Sequence, residues 1–397
     1  MRIAININEL TLNQNTGVKV YTREIVNALG RVDRENKYLL YCRRDTKFCV
    51  QKGIKFYAPT NNNFKLKTSK SLLPFWTYFK FPREIKKDKP DVLFMPIQSA
   101  PFLKKPKDIK LVITVHDLAF LLFPKHFTFK DRFLLNFHTK RAIRMADRII
   151  VPSKATKNDI IKFYGVDGNK IKVIYHGVET RQCLVSTTQQ LYILFVGSIQ
   201  PRKNIVRLIE AFEILKNPPN PLLQRGNWAE ENPPNPLFQR GDLAPPFKKG
   251  AGGIKLIIAG GRGWMADEIY KKAKGSKFSD DIIFMGSVSD NKLADLYKNA
   301  AIFVLPSLYE GFGLPVLEAM SYGIPCVISD NSSLSEIAGD SALLVDAYNP
   351  NDIAEKINVL LNDEKLRKEL SEKGIENAGK FSWIKAAEKT LAVLSSE

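Results

Sequence analysis

The 397-residue chain is predicted to fold as two Rossmann-like, doubly wound α/β domains, each built on a parallel sheet. Three observations lead there. Short apolar runs alternate with helical stretches, and the whole alternation is run through twice. Most runs are continuously apolar, as strands buried on both faces must be. The length suits two domains of about 150–200 residues, too long for one ordinary core.

In the first half the strand signals are Ile3–Ile7, Tyr38–Tyr41, Val92–Met95, Leu111–Val115, Ile149–Val151 and Val173–Tyr175. Val18–Leu29 and Arg132–Met145 read as helices between them. The second half repeats the plan with strands at Tyr192–Val196, Lys255–Ala259, Ile282–Met285, Ile302–Leu305, Cys326–Ile328 and Ala342–Val345. Its helices are Ile205–Leu215, Lys292–Asn299, Val316–Tyr322, Asp352–Leu361 and a pair from about Glu364 onward. The polar stretch Glu179–Gln190 marks the boundary, giving domains at residues 1–180 and 181–376. Residues 377–397 are expected to form a C-terminal helix that returns toward the first domain. One segment breaks the rhythm: Asn217–Gly226 (NPPNPLLQRG) recurs almost unchanged as Asn232–Gly241 (NPPNPLFQRG). So much Pro and Gly forbids helix and sheet interior, so residues 217–253 read as a disordered surface insertion.

The net charge of +19 is one-sided. Residues 1–180 hold 35 Lys+Arg against 15 Asp+Glu; residues 181–397 hold 25 against 26. A basic first domain suggests an anionic surface as partner. The mixed aromatic and basic stretch Ser71–Pro90, with Arg141, Arg144 and Arg148, would suit anionic lipid. The plainer reading is a solvated basic face over core aromatics. No run of eighteen apolar residues is present, and the N-terminus lacks the layout of a secretion signal. The four cysteines form no C-x-x-C pair, which suits a reducing compartment. A cytoplasmic location follows as the expectation, peripheral on the inner face of the membrane.

The sharpest chemical signal is Glu310–Glu318, EGFGLPVLE, directly after a strand. Gly311 and Gly313 permit a tight loop close to a ligand. Pro315 suits the first turn of the next helix, whose positive end favours an anion. Glu310 in the loop and Glu318 about a turn into the helix can each accept hydrogen bonds from vicinal hydroxyls, one set on a hexose and one on a ribose. The second signal, Val196–Asn204 (VGSIQPRKN), places Gly197, Arg202 and Lys203 at the end of another strand. Two cations there would neutralise a departing diphosphate. The third is His116-Asp117 at the mouth of the strand Leu111–Val115. Gly17 gives a flexible first loop, and Gly260-Gly261 could let a nucleoside base approach the backbone. Each has a plainer reading: solvated acids, surface bases, or a satisfied structural histidine. Absent are Asp-x-Asp, the Walker loop and G-x-G-x-x-G, so a metal-bridged diphosphate site, ATP and NAD lose support.

At these residues the chain resembles the retaining glycosyltransferases of the two-domain GT-B fold, in which two Rossmann-like domains face each other across a cleft. It looks most like their bacterial mannosyltransferase-like branch. The family's E-x7-E motif matches Glu310 and Glu318, and its R-K pair matches Arg202 and Lys203. TVHDLAFLLFP (Thr114–Pro124), ADRIIVPS (Ala146–Ser153), SDNSSLSEIAGDSALLVD (Ser329–Asp346) and FSW (Phe381–Trp383) look like the same branch. The resemblance implies catalytic roles for His116, Arg202, Lys203 and Glu310. It implies donor or nucleotide contacts at Gly17, Gly197, Gly260, Gly311, Phe312, Gly313, Leu314 and Glu318. It further implies no metal and no cofactor, with a nucleotide sugar as co-substrate and a glycan or lipid-linked glycan as acceptor. Lys19 stands where relatives often have a second glycine, which bears on the acceptor.

The expected activity is transfer of a hexose, with mannose from GDP-mannose preferred, in cell-surface polysaccharide biosynthesis. A UDP-, ADP- or dTDP-sugar donor is the alternative. From other classes, an inactive relative or a basic nucleic-acid- or membrane-binding protein remain; no nucleic-acid reader motif accompanies the charge.

Overall fold

Parallel strands cannot be joined by tight turns and need crossovers of a dozen or more residues, usually helical. The computed structural model describes residues 1–11, 16–43, 63–68, 76–102, 104–178, 192–217 and 253–396, in which that arrangement recurs twice. One unit comprises Met1–Gly177 together with Phe381–Glu397, and the other is Val178–Lys380.

The first unit carries β1 (Arg2–Asn6), β2 (Lys37–Cys42), β3 (Phe64–Thr68), β4 (Val92–Met95), β5 (Lys110–Thr114), β6 (Arg148–Val151) and β7 (Ile171–Val173). They form one parallel sheet in the order β3-β2-β1-β4-β5-β6-β7. Alternate residues serve opposite faces. Leu111, Ile113 and Val115 join one core cluster with Trp76, Phe81 and Ile149. Val112 joins the other, with Ile3, Ile5, Ile25 and Leu29. The helices are α1 (Gly17–Val32), α2 (Trp76–Asp88), α3 (Ala119–Leu122), α4 (Phe129–Met145) and α5 (Lys154–Tyr164).

Strand β3 is absent from the sequence reading, because Lys65 and Lys67 interrupt its apolar pattern. It is an edge strand, where charge is common. Its Phe64 ring stacks on Tyr38 at 4.3 Å. Helix α2 also differs from expectation. It runs through Pro82, and Trp76, Phe81 and Ile85 are buried in the core. Of the aromatics read from Ser71–Pro90, Trp76 and Phe81 are therefore interior, with Phe79 left outside.

The second unit carries β8 (Tyr192–Val196), β9 (Lys255–Ala259), β10 (Ile282–Gly286), β11 (Ile302–Leu305), β12 (Cys326–Ser329) and β13 (Leu343–Val345). Their order is β10-β9-β8-β11-β12-β13, again with every strand pair parallel. The helices are α6 (Ile205–Lys216), α7 (Asp267–Lys274), α8 (Asp290–Asn299), α9 (Leu314–Ser321), α10 (Leu334–Ala338), α11 (Pro350–Asn362) and α12 (Glu364–Gly379). The connections run outward in opposite directions from β8, and with the right-handed crossovers that parallel strands favour this sets helices on both faces. Helix α6 packs against α7 and α11, while α9 packs against α12. In both sheets the winding reverses between the first and fourth strands, β1/β4 and β8/β11. At such switch points open α/β sheets bind ligands, beyond the strand C-termini.

The repeat insertion expected at 217–253 falls outside the described residues except for Asn217 and Gly253. Helix α12 continues through Asn377, whose side-chain amide donates to the Ile337 carbonyl at 2.9 Å. The return to the first unit therefore begins at Phe381 rather than at residue 377. Helix α13 (Trp383–Ser395) then packs on α1, burying Ala386, Ala387 and Leu394 beside Ile25 and Leu29.

The return is seated against Gly177. A β-carbon there would lie 2.1 Å from the Trp383 nitrogen and 2.6 Å from the Ser382 carbonyl carbon. Both are backbone atoms that cannot step aside. Gly177→Ala should therefore loosen α13, with cleavage before Trp383 in limited proteolysis and a stability loss of about 1–3 kcal/mol from overpacking in urea unfolding.

Candidate functional site

In the second unit the loops after β8 and β11, the two strands of the switch point, carry the signals. The chain leaves β8 at Gly197 and makes a 3-10 turn at Pro201–Lys203. Asn204 then stands in the left-handed region at φ 60°, a conformation Asn tolerates better than most side chains. Its side-chain amide donates to the carbonyls of Pro306 (2.9 Å) and Ala347 (2.6 Å). Asn204 thus ties this turn to the loop after β11 and to the end of β13. The Leu308 N–H donates to the Arg202 carbonyl at 2.9 Å and closes the two loops on each other.

The outcome is a buried ionic cluster. The Lys203 ammonium lies 2.5 Å from Glu310 Oε1, and the Arg202 guanidinium 3.3 Å from Oε2. The Arg202 guanidinium also donates to the Tyr309 carbonyl at 2.5 Å. All three charged residues are under a tenth exposed. Burial alone raises the Glu310 carboxyl, but Lys203 and then Arg202 outweigh it and hold it below the ordinary carboxylate range. The sequence reading gave Glu310 to a sugar and the cations to a diphosphate. In the structure the three are mutual partners, and a net single positive charge is left for an anion.

The acid loop is held from the far side by the turn after β12, which sequence reasoning missed as a site element. Ser333 Oγ lies 2.9 Å from the Glu310 carbonyl and 2.8 Å from that of Phe312, so its one proton is shared between them. The Glu310 N–H donates to Ser332 Oγ at 3.0 Å. Ser332 itself has φ 52°. The only earlier trace was the phrase SDNSSLSEIAGD, quoted for likeness rather than for these hydroxyls.

Gly313 starts α9 at φ 108°, and Pro315 sits in its first turn. A side chain at 313 would also meet Leu334 at 2.6 Å. Phe312 is buried and Leu314 half-buried. Glu318, a turn further on, accepts from the Tyr297 hydroxyl at 2.8 Å. Tyr297 is buried and stacks on Tyr322 at 5.4 Å, so it orients the acid from behind. Burial, and then Glu318, push the Tyr297 hydroxyl well above its usual range, so it stays a donor. Gly260 has its own reason: at φ 153° its β-carbon would fall 1.9 Å from the Gly197 carbonyl oxygen. The close approach at this pair is backbone on backbone.

In the first unit Gly17 opens α1, capped by the Thr16 hydroxyl, and among the described residues no atom lies within 4 Å of the place of its missing β-carbon. It is the first residue of a helix rather than part of a loose loop. His116 follows β5 and is partly buried. Its Nε2 is 2.8 Å from the Pro96 carbonyl, which can only accept, so Nε2 carries the proton and the neutral ring keeps Nδ1 as an acceptor. Burial lowers its pKa, opposed by the Pro96 bond and Asp117. The ring of Tyr21 lies 5.0 Å from His116 and 4.5 Å from His176, and His176 stacks on Trp383 at 5.7 Å. His176 carried no signal in the sequence, and Trp383 entered only as the end of the phrase FSW. The Asp117 carboxylate accepts from the Ala119 N–H at 3.0 Å and closes the turn that leads into α3, which is a structural task.

The serine brace can be tested directly. Ser333→Ala leaves two buried carbonyls without their donor and should cost about 1–3 kcal/mol in urea unfolding.

Comparison with known proteins places this geometry. The model "Glycosyltransferase Family 4" matches residues 15–182, and "Glycosyl transferases group 1" matches residues 243–377. The turn with Arg202 and Lys203 lies between the two matches. The O-antigen chain mannosyltransferase B of Escherichia coli is 29% identical over 295 residues, or 71% of this chain and 69% of that protein. The O-antigen chain mannosyltransferase RfbU of Salmonella typhimurium is 29% identical over 254 residues, 64% of this chain and 61% of its own length. Among solved structures, Anabaena HepE in complex with UDP and glucose superposes at TM-score 0.70 with 16% identity, covering 100% of both chains. WaaG, a glycosyltransferase of lipopolysaccharide biosynthesis, superposes at 0.66 with 15% identity, also over 100% of both. With these two models spanning most of two parallel-sheet α/β units, the chain belongs to the glycosyltransferases of GT-B fold, a family 4 domain followed by a group 1 domain.

Proposed function

We propose that the chain is a retaining, metal-independent hexosyltransferase. Its reaction moves mannose from GDP-mannose to a glycan or lipid-linked glycan acceptor in O-antigen-type polysaccharide assembly, on the cytoplasmic side of the membrane. The observation that carries this reading is the buried cluster of Arg202, Lys203 and Glu310 at the switch point of the second sheet. Mannose is favoured by the two O-antigen mannosyltransferases at 29% identity.

In this reading the diphosphate competes with Glu310 for Lys203 and Arg202. As the sugar–phosphate bond breaks, negative charge grows on the departing oxygen and the two cations stabilise it more than they stabilise the ground state. Glu310, partly released, turns to hydroxyls of the sugar, and Glu318, held by Tyr297, takes the ribose. From the first unit, neutral His116 offers Nδ1 to a sugar hydroxyl, and the backbone at Gly17 meets the acceptor side. Gly197, Gly260 and residues 311–314 line the donor. A UDP-, ADP- or dTDP-sugar is the competing donor.

A thermal-shift panel of GDP-, UDP-, dTDP- and ADP-sugars with EDTA present, followed by linkage analysis of the product, tests the assignment. GDP-mannose should give the largest shift and an α-linked product; a larger shift with another nucleotide, or a metal requirement, sinks it. Lys203→Ala should keep its fold, since Arg202 still pairs Glu310, while kcat falls about 100-fold or more. Glu310→Gln should bind bare nucleoside diphosphate more tightly, as its cations are no longer neutralised, yet lose transfer. That variant should also lose part of the acid-limb stability change. The Glu310 contribution is present above the unfolded carboxyl pKa of 4.5 and disappears as pH falls through the lower folded value.

The His116 role predicts a pH profile. Its folded pKa lies below 6.5, so the neutral form persists down to that pH and transfer should fall only in more acid solution. A decline that begins above pH 6.5 and vanishes in His116→Asn would contradict the assignment.

A further inference from the structure

The last helix of the chain is fastened to both ends of β5, the strand that His116 follows. The chain leaves the first unit after Gly177 and re-enters it at Phe381. Just inside these two points, the His176 and Trp383 rings stack at 5.7 Å with 17° between their planes. The Tyr175 and Phe381 rings meet edge-on at 5.7 Å beside them. His176 is buried and Trp383 partly so. At the far end of α13 the Lys110 ammonium donates to the Val393 carbonyl at 2.7 Å and to the Ser396 carbonyl. Carbonyls in a helix's last turn have no partner within the helix, so Lys110 supplies one. Lys110 opens β5. The helix is thus anchored at the start of the strand, while Trp383 stands near its mouth.

Tyr21, from α1, fills the space between that stack and His116. Its hydroxyl lies 3.1 Å from Thr114 Oγ1, at the end of β5. Its ring meets the His116 ring edge-on, at 5.0 Å and 79°, with His176 at 4.5 Å and Trp383 at 6.1 Å. The Pro96 bond holds Nε2 of His116, and the backbone holds its Cβ. One motion is left to the imidazole, a turn about the line joining those two atoms. Nδ1 lies off that line, so the turn would swing the acceptor nitrogen. An edge-to-face neighbour fixes the tilt of a ring as well as its place, and Tyr21 blocks the turn. Among the described residues, the titratable groups that face His116 are Tyr21, His176 and Asp117. Burial keeps the Tyr21 proton in place. Burial, and then His116, keep His176 neutral. The Gln98 amide and the Thr156 hydroxyl, which bond the His116 backbone, do not titrate.

We propose that Tyr21, His176 and Trp383 are positioning residues for His116: the three rings, backed by α13, fix the angle at which Nδ1 is presented to the substrate. A stack built for stability alone would not bury an imidazole, since desolvating a polar ring costs what a leucine in its place would not. The stack also stands at the one end of β5 that carries His116, while the opposite end of α13 is held by an ordinary ammonium–carbonyl contact. The proposal rests on the His116 reading given above, and the ring's setting is measured separately from transfer.

The experiment takes the full chain with isotope-labelled histidine and follows sugar transfer and the imidazole resonances across pH. His116→Asn identifies the His116 signal among the four histidines. Trp383→Ala should lower kcat by about 10- to 100-fold through a misplaced ring. Affinity for GDP should hold, because Arg202 and Lys203 lie in the other unit. Water admitted at the stack weakens the burial that lowers the His116 pKa, so its titration should move up toward 6.5, and the acid limb of transfer with it. Trp383→Phe keeps a flat face and should recover most of kcat. Trp383→Leu keeps apolar cover without the ring plane and should not; this pair carries the comparison if the alanine variant does not fold. In a His116→Asn background Trp383→Leu should cost no further activity, since its effect passes through the histidine. A leucine variant with wild-type kcat and an unmoved His116 titration overturns the proposal. So does an equal loss in the His116→Asn background, which would mark general loosening of the unit. If His116→Asn transfers like wild type, the role given to the histidine fails. A His116 titration moved by Trp383→Leu then still upholds the positioning, and an unmoved one overturns it.

Discussion

The contact between Glu310 and the two cations of the Pro201–Lys203 turn is the constraint around which the second unit is arranged. A buried ion pair is a poor way to add stability, because desolvating the charges offsets most of the Coulomb gain. What such a cluster does well is hold groups in register. Lys203 and Arg202 sit at the end of one strand and Glu310 beyond its neighbour, so their meeting joins the two loops of the switch point. Asn204 and Ser333 work to the same end from opposite sides, one through the carbonyls of Pro306 and Ala347, the other through those of Glu310 and Phe312. Few of these bonds involve a titrating group, so the scaffold around the charges is neutral and stays rigid as pH changes.

The parallel sheets explain why the charges can gather there at all. Every strand of the second sheet points the same way, so the loops that follow β8, β9, β11 and β12 emerge on one edge. The left-handed Asn204 and the glycines at 260 and 313 let the backbone turn sharply enough to keep those loops short and close. Backbone approach at Gly260 and Gly197 is tight enough that neither loop can drift without moving the other.

Much of this was legible beforehand. Most strands ended within two residues of expectation, because runs such as Ile302–Leu305 are apolar at every position and bounded by turn residues. Lys65 and Lys67 hid β3, since an edge strand needs only one buried face. Helix α2 was hidden by Pro82 and by lysines that suggested a surface, while Trp76 and Phe81 turn inward. At the site, residue types announced themselves but pairings did not. Nothing along the chain says that Glu310 contacts residues more than a hundred positions earlier, because that proximity is a property of strand order. Tyr297, Ser333 and His176 were missed for the same reason: an isolated hydroxyl or imidazole acquires meaning only from what the fold sets beside it.

Helix α13 belongs to a sheet whose last strand ended some two hundred residues before it. Its apolar side, Ala386, Ala387 and Leu394, completes a core that α1 opened near the beginning of the chain. A nascent chain on the ribosome therefore holds the earlier domain unfinished, one apolar groove uncovered, until translation has passed through the whole of the later one. Contacts of such separation are slow to close and leave sticky surface in the interim. Chaperone dependence of this protein would accordingly concentrate on the portion made first.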